Sequence, residues 1–174
     1  MEFETRRLII KKFIPEYIPL MYTSWGSDPE VGRYMVDFRR DWNIEAFTKY
    51  IYGSYKDEYH TRLVIQNKKT NAIIGMISLY QEDSRSKSIN IWISRGFWNK
   101  GYGTETLIGV IKEIKKTSLE CLYATCDERN LGAVRMLEKA NFECIDKIPD
   151  YRQDIDGNPG AELLYELEMR KVSK

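Results

Sequence analysis

"INIWISRGFWNKGYGTE", residues 89–105, contains the sharpest change of pattern in the chain. A β-branched, aromatic run of strand type ends at Gly96, and after Gly101 and Gly103 the apolar residues return with helical spacing, at Leu107, Val110, Ile111 and Ile114. A strand therefore runs into a helix through a glycine turn. Such a turn presents the unpaired N–H groups and partial positive charge of a helix start, and glycines let an anion approach them closely.

Outward from this point, "TRLVIQN" (61–67), "NAIIGMISLYQ" (71–81) and "KSINIWIS" (87–94) read as three strands joined by "KKTN" and "EDSRS". Connections that short imply an antiparallel meander. "RRLIIKKF" (6–13) is a first strand, and Pro15 and Pro19 begin a helical or turn region reaching Trp25. Ser27 or Asp28, followed by Pro29 and Glu30, marks a helix start, and a second helix is expected over 43–57 from Asn43. After the glycine turn come a helix over 102–116, the strand "CLYATC", and a helix over 131–140 capped by Asn130 with Asn141 at its left-handed end. The strands "FECIDKI" and "ELLYELEMR" close the chain around the loop "DGNPG". The order predicts one α/β (α+β) domain over residues 1–174, with a mixed sheet of about seven strands and helices packed on it.

Composition narrows the function. With 43% apolar residues, 13% aromatics and 27 basic against 26 acidic side chains, the chain has a net charge of +1 and no basic tract for nucleic acid or an anionic membrane. No apolar run approaches the ~18 residues of a spanning helix. "MEFETRRL" lacks a signal-peptide layout, so a cytoplasmic protein is expected. Cys121, Cys126 and Cys144 form no metal or disulfide pattern and are expected as reduced core thiols. His60, the single histidine, rules out a histidine-rich metal centre and is expected as a polar residue near a strand start. No metal is expected.

The glycines fail two nucleotide tests. Gly96 and Gly101 have P-loop spacing, but Tyr102 and Gly103 replace the Lys and Ser/Thr. Gly101 and Gly103 begin a dinucleotide fingerprint, but Thr106 stands where its third glycine belongs.

"WNKGYGTE" after "INIWIS", followed by "NLGAVRMLEKANF", resembles the coenzyme A loop and subsequent Asn-led helix of the GNAT superfamily of N-acetyltransferases. "ETRRLIIKKF" and "WGSDPEVGRYM" further resemble its ribosomal-protein N-terminal acetyltransferase (Rim-type) branch. The resemblance covers nearly the whole chain. It implies the GNAT fold, a mixed, mostly antiparallel sheet with helices on both faces and its fourth and fifth strands splayed, and acetyl-CoA as cosubstrate. The backbone of Ile91, Trp92 and Ile93 would then face the pantetheine arm. The N–H groups of Asn99, Lys100, Gly101, Tyr102, Gly103 and Thr104 would hold the pyrophosphate. Trp98 stands at the Arg or Gln position of the general pattern, Lys100 offers its charge or is solvated, and Asn130 would contact the cofactor or fix the loop beneath it.

The same resemblance implies transfer of acetyl to a primary amine: a peptide N-terminus, a polyamine or an antibiotic. A second copy of the chain is retained as a further partner. Dedicated acid and base groups are sparse. The glutamate base of many relatives would fall at Ser88 or Thr125, the tyrosine acid at Leu137, and the Rim-type serine at Ala133. Positioning alone can supply about 7 to 11 kcal/mol, so a sparse site can still work. An α-amine costs about 3 kcal/mol less than a lysine to deprotonate at neutral pH, which tilts the reading towards it. Glu162, for amine recognition or as a relayed base, and Asp127 are the candidate catalytic residues, with Cys126, Tyr151 and Tyr165 behind them. The alternatives are a non-catalytic acyl-CoA sensor or assembly module of the same fold, and a nucleotide-binding protein.

Overall fold

The computed structural model describes residues 1–35, 42–53 and 59–169. Its strands are β1 (Phe3–Glu4), β2 (Leu8–Lys12), β3 (His60–Asn67), β4 (Ile73–Gln81), β5 (Ser86–Ile93), β6 (Cys121–Asp127), β7 (Glu143–Gln153) and β8 (Pro159–Glu168). Its helices are α1 (Ile18–Met21), α2 (Pro29–Gly32), α3 (Ile44–Gly53), α4 (Tyr102–Ile114) and α5 (Leu131–Lys139). One eight-stranded sheet has the order β1-β2-β3-β4-β5-β6-β8-β7, and every neighbouring pair is antiparallel except β5 with β6.

The sequence is bent into this sheet by period-two burial. On β3, Leu63 and Ile65 enter one core while Val64 enters another on the opposite face. The first core is covered by α4 and α5 through Leu107, Val110, Ile114 and Leu137. The second is covered by α1 and α3 and by the π-turn Tyr22–Gly26, with Trp25, Phe47 and Ile51 fully buried. Trp25 stacks on Trp92 of β5 at a centroid distance of 6.2 Å, which ties the early helices to the middle of the sheet.

Several helix starts follow their local chemistry. Asp28 accepts from Glu30 N–H at 3.0 Å with Pro29 behind it. Asn43 Oδ1 accepts from Ala46 N–H at 2.8 Å. The expected helix over 43–57 ends at Gly53, and residues 54–57 lie outside the described residues. Asn141 takes the left-handed conformation at φ 65°.

Three expectations change. An eighth strand, β1, pairs Phe3 with Ile10, because the chain turns back at Thr5, whose N–H donates to the Leu8 carbonyl. The strand begun by "FECIDKI" continues to Gln153 past Pro149, which falls in a break of the β7–β8 register between Ile148 and Arg152, where no ladder N–H is required of it. Of the three thiols only Cys126 is buried; Cys121 is half-buried and Cys144 exposed, because β7 is covered on neither face there. His60 opens β3, buried and stacked on Tyr80 with centroids 3.9 Å apart.

A bulge at Ile74, between the pairs Ile65↔Gly75 and Gln66↔Ile73, brings β4 hard against β5. A Cβ on Gly75 would lie 2.1 Å from the Trp92 carbonyl oxygen, a backbone atom that cannot step aside. Gly75→Ala is expected to destabilise the protein by about 3 kcal/mol through overpacking, read from the urea midpoint at unchanged slope.

Candidate functional site

The parallel pairing of β5 with β6 runs only through Ser86↔Cys121, Lys87↔Leu122 and Ser88↔Tyr123. Beyond it the strands part. Residues Ile89–Ile93 on one side and Ala124–Asp127 on the other line a cleft of about 940 Å³ between the sheet, α4 and α5. The cleft is large enough for a cofactor and a small acceptor together.

At one end stands the start of α4. Asn99 (φ 56°) and Gly101 (φ 77°) both adopt left-handed conformations, a local geometry that turns successive N–H groups to one side. The first hydrogen bond of the helix runs from Glu105 N–H to the Gly101 carbonyl at 3.0 Å, so the N–H groups of Gly101, Tyr102, Gly103 and Thr104 precede any intrahelical acceptor. All four residues line the cleft. A Cβ on Gly103 would press on the flexible end of Met136, with Sδ at 2.9 Å, and touch Ile93 Cγ1 at an ordinary 3.8 Å. The turn thus has the donors, the dipole and the bare backbone that a pyrophosphate needs.

Most residues expected at this end are brought together there. Ile91, Trp92, Ile93, Trp98, Asn99 and Asn130 all line the cleft. The Trp98 indole donates to the Ile93 carbonyl at 2.6 Å and so fixes the end of β5 instead of reaching towards phosphate. The Trp92 side chain packs in the second core, donating to Met35 Sδ at 2.8 Å. Asn130 Oδ1 caps α5 by accepting from Ala133 N–H at 3.2 Å. Lys100 differs: its ammonium binds the Gly96 carbonyl at 2.6 Å and lies outside the lining.

The cleft is also lined by polar groups that the sequence did not single out: Arg33, Tyr34, Tyr80, Asn90, Arg129 and Arg152. They come from five separate segments, so no local motif could announce them. Arg33 pairs with Glu30 and Asp156, and Arg129 with Asp127 and Asp154. Arg152, itself buried, pairs with Glu162 and donates to Thr125 Oγ1 at 2.9 Å.

The two candidate carboxylates stand opposite each other across β6 and β8, in the register Asp127↔Glu162. Asp127 accepts from Arg129 N–H, Nε and Nη2 at 2.9, 2.8 and 2.6 Å. Burial opposes its ionisation, but these donors outweigh it and hold the carboxyl below its ordinary range, which makes it a weak base. Glu162 reaches the cleft through Arg152, which lines the wall where Glu162 does not. Burial pushes the Cys126 thiol up to about 12, so it lines the cleft uncharged. Tyr165 is buried in the first core and Tyr151 is exposed on β7; neither lines the cleft.

A splayed parallel pair leading to a glycine-turned helix start, in a mixed and mostly antiparallel sheet with helices on it, is the arrangement described by the structure. The comparisons agree: the family model for the acetyltransferase (GNAT) domain matches residues 7–143. The chain belongs to the GNAT acetyltransferase family. Solved structures share its fold at low identity. A GNAT-family acetyltransferase from Bacillus anthracis superposes with a TM-score of 0.83 at 19% identity, over 98% of this chain and 100% of that one. RimL, the ribosomal L7/L12 α-N-protein acetyltransferase in complex with coenzyme A, gives 0.85 at 11%, over 97% and 98%. A spermidine N-acetyltransferase from Vibrio cholerae, with CoA and spermine, gives 0.82 at 13%, over 95% and 97%. Among the described residues, no helix is long and apolar enough to cross a membrane, and no three His, Cys, Asp or Glu side chains are grouped to hold a metal.

The Asp127–Arg129 pair has a pH signature. A carboxyl whose pKa is depressed on folding contributes its full stability above the unfolded value, 3.8 for Asp127, and loses it as pH falls through the lower folded value. Asp127→Asn should therefore lower stability at neutral pH and flatten its acid fall, measured by urea midpoints from about pH 6 to about pH 3.

Proposed function

We propose that this protein is an acetyl-CoA-dependent N-acetyltransferase acting on a primary amine, of the Rim-type branch. The observation that carries the reading is the coincidence, in one cleft, of the unpaired edges of β5 and β6 with the free N–H groups at the start of α4. The pantetheine amides pair with the open edge of Ile91–Ile93 as an added strand would, and the pyrophosphate takes the N–H groups of Asn99–Thr104. The acceptor enters at the end bounded by Arg33, Tyr34, Tyr80, Asn90 and Arg152.

In the reaction the neutral amine nitrogen attacks the thioester carbonyl carbon, the C–S bond breaks, and the amine's proton leaves as the thiolate is protonated. The cleft's contribution is chiefly positioning: it holds amine and thioester in line and shields them from water. Asp127 serves by holding Arg129, and Glu162 serves by holding Arg152 in the cleft wall. RimL and the spermidine enzyme act on a protein α-amine and a polyamine respectively, and both acceptor classes are retained for this chain.

The direct test follows free thiol while the protein is incubated with acetyl-CoA and a panel of N-terminal peptides, polyamines and aminoglycosides. Thiol release with one class establishes the activity and its acceptor. CoA binding with no acetylation of any amine would favour a sensor of the same fold. Stabilisation by ATP or NAD in place of CoA would sink both readings.

Gly103→Glu puts a carboxylate into the pyrophosphate cradle. CoA binding is expected to become undetectable by calorimetry while the fold is retained, since the displaced neighbour is the end of a methionine side chain. Unchanged affinity would refute the loop assignment.

A further inference from the structure

The pyrophosphate turn is braced from outside the cleft. Arg7, in the turn between β1 and β2, donates through Nη1 to the Lys100 carbonyl at 2.9 Å and through Nε to Glu105 Oε2 at 2.6 Å. Its guanidinium lies 4.0 Å from the centre of the Tyr102 ring. The three partners are the residues on either side of Gly101 and the one that closes the first helical turn.

Glu105 is held in turn. Its Oε1 accepts from Thr5 Oγ1 at 2.6 Å and from Arg7 N–H at 2.8 Å. The Tyr102 hydroxyl accepts from Asn67 Nδ2 at 3.2 Å, which fixes the ring under the guanidinium. Burial opposes ionisation of Glu105, but the Thr5 and Arg7 donors prevail and hold its carboxyl below the ordinary value.

Neither Arg7 nor Lys100 lines the cleft, whereas Gly101 does. In a trans peptide the C=O and N–H point in opposite directions. A donor gripping the Lys100 carbonyl on the outer side therefore aims the Gly101 N–H to the inner side. We propose that Arg7 is a positioning residue for coenzyme A: by holding Lys100 O, Glu105 and the Tyr102 ring at once, it sets the backbone at Gly101 so that its N–H meets the pyrophosphate. The inference rests on the acetyl-CoA reading of the cleft.

The task suits arginine in particular. A planar fork can bond two acceptors and stack on a ring together, while a lysine ammonium keeps the charge but not that geometry. The cation on the carbonyl also polarises the peptide, strengthening its N–H as a donor.

The test compares wild type, Arg7→Met and Arg7→Lys by CoA calorimetry, by melting of the unliganded protein, and by ³¹P NMR of bound CoA. Arg7→Met should weaken CoA binding roughly ten- to hundredfold, the scale of one lost charge-assisted hydrogen bond. The bound pyrophosphate resonances should move towards their free positions while the 3′-phosphate resonance does not follow. Arg7→Lys should shift both readouts in the same direction, and it carries the test if Arg7→Met does not fold. Equal CoA affinity in all three proteins would overturn the proposal. So would a loss in which pyrophosphate and 3′-phosphate signals move together, because the variant would then have lost the cleft as a whole. No CoA binding by wild type would refute the acetyl-CoA reading itself, and the brace with it.

Discussion

Three residue pairs hold β5 to β6, and the two strands then part. A sheet that opens in its middle leaves backbone donors and acceptors without partners, and buried backbone groups demand them. Both sides of the sheet are arranged around that opening. α4 and α5 pack over one face and roof the gap, while the early helices secure β5 from the other face through the stack of Trp25 on Trp92.

The split also explains which residues crowd its edges. At β5, the Trp98 indole closes on the Ile93 carbonyl and ends the strand, and the bulge at Ile74 needs a glycine at position 75 because the Trp92 carbonyl occupies the space of a side chain. At β6, Asp127 ends the strand with its carboxylate committed to Arg129. The cleft is therefore lined by backbone at the start of α4 and by ion-paired side chains from several other segments.

Much of the wall around the start of α4 was legible because its signals are local. A strand pattern, two glycines four positions before a helical period, and an Asn cap are each short-range, and each appears in the structure where it was expected. For Lys100, whose charge was expected either at phosphate or in solvent, the structure places the ammonium on the Gly96 carbonyl, a contact that no local pattern announces. The arginine-lined wall was illegible for the opposite reason. Arg33, Arg129 and Arg152 stand far apart in the chain, and only the register of β7 and β8 with β6 and the docking of the Ile155 N–H on the Arg33 carbonyl bring them near one another.

The sequence by itself determined the order of elements, the two-faced burial of the strands and the site of the glycine turn, because period, capping and backbone freedom are properties of neighbouring residues. The family resemblance of its motifs, and not the glycines, singled out coenzyme A. The tertiary structure decided what each polar group is free to do: Asp127 is spent on Arg129, Glu162 is paired with Arg152, and Arg7, nearly a hundred residues before the turn, bonds its carbonyl. Hydrogen bonds and ion pairs are satisfied by whichever partner the fold brings within about 3 Å, and distance along the chain carries no information about that.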